Sequence, residues 1–380
     1  MTARSTRPNR ETSDFATVSF LVFGLLAATA ATLVLWLGRN VAFWHDDCDF
    51  VQHRSLADPL GLFVPHNDHA VALPAAAYRA VVDVAGTGSY LPFLALVQVA
   101  HIATAAGLLA VLAARSVWLG LGAATLFLFL GSGADNLFWA FQITFVGSTA
   151  FGVWAIWAAE RQRWPLAGML LVGSVFCSLV GLAFIVAVGV TGLARPRRAV
   201  AWSLLPVGAL SGWWILFALG WERPPDWAVY TYGSPLSLES WGHVPGYVFE
   251  ATFRTVAAIS GLDLGLAFLF VILGSGAALV AFTRGWRPAP LQLGALVGFL
   301  AFTVMAGVIR AVSASELEPR FVYVTAIFAL LMLPTIRRTP VHVVVAGIIL
   351  LIALWSNVLA FPRAAEFWTA RADGVLACQP

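Results

Sequence analysis

Residues 17–37 read TVSFLVFGLLAATAATLVLWL, a run without one charged side chain. As a helix rising about 1.5 Å per residue, such a run spans roughly 30 Å, the depth of a bilayer's hydrocarbon core. Arg4, Arg7 and Arg10 precede it, as basic residues precede a signal peptide. The apolar stretch is longer than a signal core, and no small-residue cleavage site stands before the polar segment that follows. The run is therefore read as an uncleaved anchor.

Similar runs recur at 91–113, 117–133, 140–159, 165–179, 181–194, 199–220, 262–283, 289–310, 321–335 and 341–360. With the first they make about eleven spans of one transmembrane domain over residues 1–380. Two of them, covering 165–194, are tight for two crossings, and a re-entrant or tilted hairpin turning near 178–181 fits better. Composition agrees: 60% of the 380 residues are hydrophobic and 11% charged, more apolar than a water-soluble core requires. A membrane β-barrel would show short alternating segments instead of continuous runs. The expected fold is an all-α polytopic bundle.

All 22 basic residues are arginine. That bias, with spans rich in Ala, Val, Gly and Leu, suggests a bacterial, high-GC origin. The arginines form no basic stripe, so nucleic acid is not an expected partner. They sort by loop instead. With the amino terminus inside, Arg115, Arg161, Arg163, Arg195, Arg197, Arg198, Arg284, Arg287, Arg337 and Arg338 fall on the inner side, and acids prevail on the outer side. The carboxyl terminus is then outside a cytoplasmic membrane. The outer loops of substance are 38–90, 221–261 and 311–320. Within 38–90, residues 49–57 and 74–86 have helix-like spacing and are expected to lie along the interface. The three cysteines show no metal-ligand spacing. They are read as unbridged, a Cys48–Cys378 disulfide being topologically allowed on the outer side.

Polar chemistry gathers where the first span ends, at Trp44-His45-Asp46-Asp47-Cys48-Asp49-Phe50. Carboxylates crowded against a lipid boundary are partly desolvated and repel one another, so one of them should have the raised pKa that suits a general base. The alternative is that these aspartates only cap and solvate a helix start. A second cluster, Pro65-His66-Asn67-Asp68-His69, is polar within an apolar loop. A third, Ser315-Glu316-Leu317-Glu318-Pro319-Arg320-Phe321, offers an arginine that Glu318 could fix for a lipid phosphate, or only a surface ion pair. A fourth, Asp135-Asn136-Leu137-Phe138-Trp139-Ala140-Phe141-Gln142, joins a carboxylate, amides and aromatics as sugar sites do.

Taken together, these segments resemble a group of bacterial membrane proteins assigned to the GT-C class of polyprenyl-phosphate-sugar-dependent glycosyltransferases. The resemblance covers the layout of most of the chain, but in detail only these short segments. It implies inverting transfer of a sugar from a polyprenyl-phosphate donor to a glycan or glycolipid acceptor outside the cytoplasmic membrane. Under it, Asp46 or Asp47 is the base, and Asp47 is preferred on the expectation that it turns into the cavity while Asp46 caps the span. Asp68 is the partner acid, oriented by His66 or His69. Arg320, Glu318, Asn67, Gln142, Trp139 and Asp135 contact substrate. The chain departs from the class in being short, in having no soluble domain after the last span, and in its histidines. His45, His66 and His69 with Asp46 and Asp68 leave a divalent metal open as a cofactor. The competing reading is a transporter or lipid flippase, although no Asp, Glu or Arg lies near the centre of any expected span.

Overall fold

The computed structural model describes residues 10–67, 69–194, 196–218, 237–310, 318–334 and 339–372. Among them the secondary structure is helical, with no strand and an isolated bridge between His66 and His69. The helices in chain order are α1 (Arg10–Leu37), α2 (Asp46–Gln52), α3 (Ala72–Ala85), α4 (Leu91–Ala113), α5 (Val117–Leu128), α6 (Asp135–Phe138), α7 (Ile143–Glu160) and α8 (Trp164–Val175). They continue with α9 (Gly181–Thr191), α10 (Pro196–Trp213), α11 (Leu238–Ser260), α12 (Leu264–Thr283), α13 (Pro290–Arg310), α14 (Pro319–Met332) and α15 (Pro340–Ala372).

Each expected apolar segment contains a helix among the described residues, but seven described helices are long and apolar enough to cross a membrane. Shorter are Val117–Leu128, Trp164–Val175, Gly181–Thr191 and Pro319–Met332. Helices of that length rise about 16–21 Å, well short of the roughly 30 Å core. Local causes shorten them. Helix α5 ends because Leu130 leaves the helical region (ψ 79°) and the 131–133 turn of Gly-Ser-Gly follows. The 165–194 run breaks over 176–180, where Gly181 N–H turns back to the Ser178 carbonyl. The expected hairpin is there, as two half-length helices.

Two kinds of helix build the bundle. In the apolar window around α7, 78% of residues are buried within the protein, whereas the windows of α10, α12 and α15 are 11%, 6% and 11% buried. Helix α7 is therefore the core, and the latter three turn most of their surface outward, which in this composition means lipid. Close packing depends on small residues. A Cβ added at Gly294 of α13 would lie 2.6 Å from the Ala187 carbonyl oxygen of α9. One added at Gly131 would run into the Asn357 carbonyl oxygen of α15. Asn357 secures the same junction, receiving the Ser132 hydroxyl at 2.8 Å and donating to the Ala258 carbonyl at 2.8 Å.

Between α1 and α4, the chain forms a cap over one end of the bundle. Helix α3 matches the expected 74–86 helix, while α2 begins at Asp46, three residues before the expected 49–57 stretch. Helix α15 also runs twelve residues past the expected end at 360, through Pro362. That extension brings Phe367, Trp368 and Arg371 beside the cap.

Candidate functional site

The cap is held by a buried arginine. Arg54 is 6% exposed and donates to the carbonyls of Gly61 (2.8 Å), Val64 (2.7 Å) and Pro65 (3.3 Å), and to Asp49 Oδ2 at 3.1 Å. Its fork of donors gathers a loop with little regular structure and satisfies carbonyls that would otherwise be buried unpaired. The indole of Trp213 on α10 adds a bond to the Phe63 carbonyl at 2.7 Å. Two residues in the cap adopt positive φ, His45 at 45° and Asn67 at 51°. Such a backbone is uncommon outside glycine and marks where the chain is forced to turn. The second turn places His66 and His69 opposite each other, with reciprocal backbone bonds of 3.1 and 2.8 Å.

A cavity of about 1140 Å³ opens between this cap, α13, α14 and the end of α15. Of the expected residues, Asp46, His66, Asn67, Asp135, Trp139, Glu318 and Arg320 line it. Segments nearly 300 residues apart in sequence thus meet around one space. Arg310 and Arg371 line it too, as does Cys48, which is disulfide-bonded. The expectation of unbridged cysteines is corrected there: Cys177 is free and buried, and Cys378 lies outside the described residues.

The two aspartates at the head of α2 take opposite roles, and the reverse of those expected. Asp47 does not line the cavity. It is fully buried, receiving the hydroxyls of Tyr78 (2.6 Å, Oδ1) and Tyr90 (2.9 Å, Oδ2) and the N–H of Trp44 (2.9 Å, Oδ2). Tyr90 is fixed in turn by the Ala140 N–H, 2.7 Å from its hydroxyl oxygen. Burial pushes the Asp47 carboxyl up to about 7, against the lowering effect of its three donors. The pKa suits a base, but the position does not. The physical reason is the helical geometry of 46–52, which turns consecutive side chains about 100° apart, so only one of the pair faces the cavity.

Asp46 is the one that faces it. Its Oδ1 lies 3.1 Å from His45 Nδ1 and 3.3 Å from His66 Nε2. Burial raises its pKa, but the contacts with His45 and His66 prevail and hold the carboxyl below the ordinary range. His66 is 6% exposed and bridges two acids, its Nδ1 lying 3.0 Å from Asp49 Oδ2. Burial lowers its pKa, the flanking carboxylates outweigh that, and the imidazole rises to about 9. Asp49, paired with His66 and Arg54, falls to about 2 despite its burial. At neutral pH the cap thus carries an imidazolium held between two carboxylates. An imidazolium with both ring nitrogens turned to carboxylates has no lone pair for a metal, and no group of three His, Cys, Asp or Glu side chains among the described residues is placed to hold one.

Across the cavity, Arg320 pairs with Glu318 and packs 5.3 Å from the Phe321 ring, while its Nε is buried without a hydrogen-bond partner. Asp135 accepts the Trp368 indole N–H at 3.1 Å, and burial raises its pKa. Trp139 stacks on Trp368 with ring centroids 5.2 Å apart, and its own indole N–H is buried and unpartnered. Arg371 lies over Phe367 at 4.2 Å and Trp44 at 4.9 Å.

Besides Asp47, two described residues expected in the site stand elsewhere. His69 is outside the cavity lining, and burial together with Arg310, His66 and Arg320 lowers its pKa to about 4, leaving it neutral. Gln142 is inside the bundle, 1% exposed, accepting from the Asn136 amide at 3.3 Å. Its expected place in the site is corrected to a core position, because the chain tightens into a 3-10 turn over Ala140–Gln142 and carries the amide inward. Asp68 lies outside the described residues. Comparison with protein families, curated proteins and solved structures returned no match.

Proposed function

We propose that this protein is a membrane glycosyltransferase that moves a sugar from a polyprenyl-phosphate donor to a glycan or glycolipid acceptor, on the extracytoplasmic side of a bacterial cytoplasmic membrane. The observation that carries the reading is the single cavity lined both by Asp46 and His66 and by Arg310 and Arg320. Direct displacement at an anomeric carbon needs an acceptor for a proton on one side and a stabiliser of phosphate charge on the other, within one substrate's reach. Asp46 takes the proton of the acceptor hydroxyl as its oxygen bonds to the anomeric carbon. The bond from that carbon to the phosphate oxygen breaks, its electron pair leaves with polyprenyl phosphate, and the arginines meet the charge. Attack opposite the leaving group inverts the anomeric centre. The proton stays on Asp46, and the His66 imidazolium, with both ring nitrogens turned to carboxylates, orients that side chain.

The test is transfer of radiolabelled sugar from a panel of polyprenyl-phosphate sugars by the purified protein in liposomes. Labelled product formed by wild type and lost in Asp46→Asn supports the reading; no product from any donor removes it. A transporter or lipid flippase remains the second reading. It is favoured by the buried amides of Gln98, Asn136 and Gln142, which leave polar atoms unpartnered inside the bundle. Movement of a lipid or solute across the same vesicles without sugar transfer would put that reading first.

A further inference from the structure

The last turns of α15 separate two spaces. Phe367, Trp368 and Arg371 face the large cavity, whereas Pro362, Glu366 and Thr369 line a second depression of about 400 Å³ against the end of α1. Trp36, Arg39 and Asn40 form its other wall. Both parent helices are candidate membrane spans with little of their surface buried, 22% and 11% of their apolar windows. The depression therefore lies where two lipid-facing helices reach the boundary. Trp36, 59% exposed, has the amphipathic character of an interfacial anchor.

The charges in this groove are what identify its occupant. Arg39 spends one nitrogen on the Trp36 carbonyl (2.6 Å) and lies 4.7 Å from the centroid of the Trp36 ring, a pose that holds the guanidinium in place. Glu366 is exposed in the groove and makes no ion pair or hydrogen bond among the described residues. An anionic headgroup would answer Arg39 and leave Glu366 facing a like charge. A choline headgroup has no N–H to give a carboxylate. A phosphate carrying a primary ammonium answers both. We propose that the groove between α1 and α15 binds the headgroup of a zwitterionic glycerophospholipid with a primary amine, Arg39 on the phosphate and Glu366 on the ammonium. The acyl chains then run along the outward faces of α1 and α15. This inference holds whether or not the neighbouring cavity is a transferase site.

Native mass spectrometry of the delipidated, detergent-purified protein tests it, with short-chain phosphatidylethanolamine, phosphatidylcholine and phosphatidylglycerol added in turn. Wild type should retain the ethanolamine lipid about tenfold better than the other two, the worth of one hydrogen-bonded ion pair. Glu366→Gln should bring the ethanolamine and glycerol lipids to within about twofold of each other, and Arg39→Gln should weaken both by about tenfold. Both side chains are exposed, so the variants should keep the wild-type melting temperature in detergent. Equal retention of the three lipids by wild type overturns the proposal, as does an unchanged preference in both variants. So does binding of soluble phosphoethanolamine as tight as that of the lipid.

Discussion

Asp46 and Asp47 are adjacent, alike in charge and opposite in placement. Asp46→Asn should therefore reduce transfer by about 10²- to 10⁴-fold, the usual worth of a general base, while Asp47→Asn stays within about tenfold of wild type. Steady-state rates on equal amounts of membrane-inserted protein decide it, and equal losses in both variants would refute the assignment. His66 carries a pH dependence of known sign. Its pKa of about 9 in the folded protein exceeds the ordinary 6.5, so its stabilisation is complete below pH 6.5 and lost as pH rises through about 9. The whole effect is on the order of 3 kcal/mol. Melting temperatures between pH 6.5 and 9.5 should fall for wild type, and less for His66→Gln. The acidic and histidine segments themselves were legible in the sequence, because their polar residues stand out from an otherwise apolar loop. Which aspartate faces inward was not. That depends on Tyr78 and Tyr90, 31 and 43 positions further on, whose hydroxyls claim Asp47.

At the scale of helices, apolar run length located each hydrophobic element but overestimated how many are full crossings. Hydropathy sees the 117–133 run as continuous, whereas the helix stops at Leu128 and the turn that follows packs Gly131 where nothing larger fits against Asn357. Gly131→Ala should lower stability by about 2 kcal/mol or more, since a backbone carbonyl, and not a flexible side chain, stands in the way. Asn357→Leu keeps the branching and heavy-atom count of the side chain but removes bonds to the 131–133 turn and to α11, and should cost a comparable amount. Chemical unfolding in mixed micelles measures both. The far end of α15 was hidden for a different reason. Beyond residue 360 the sequence turns polar, and a polar sequence reads as a loop, yet the helix persists through Arg371 with Trp368 and Arg371 one turn apart on the cavity side.

For the whole molecule, the arginine distribution predicts that the cap faces outward. In a background lacking other reactive thiols, Thr87→Cys should react with a membrane-impermeant maleimide added to intact cells, and Arg161→Cys only after permeabilisation. The opposite pattern would invert the topology and move the cavity to the cytoplasm. The cavity also has an order of construction built into it. Its first wall, Trp44 to Asp49, emerges early in synthesis, but Asp47 keeps company with Tyr90 and, through it, Ala140, while the opposite wall comes from Glu318, Arg320 and finally Trp368. A ribosome making this protein thus delivers the acidic segment long before the groups that close around it. Until α15 is inserted, the cap faces a cavity that lacks its Trp368 and Arg371 wall, and whatever the finished cavity does must wait for that helix.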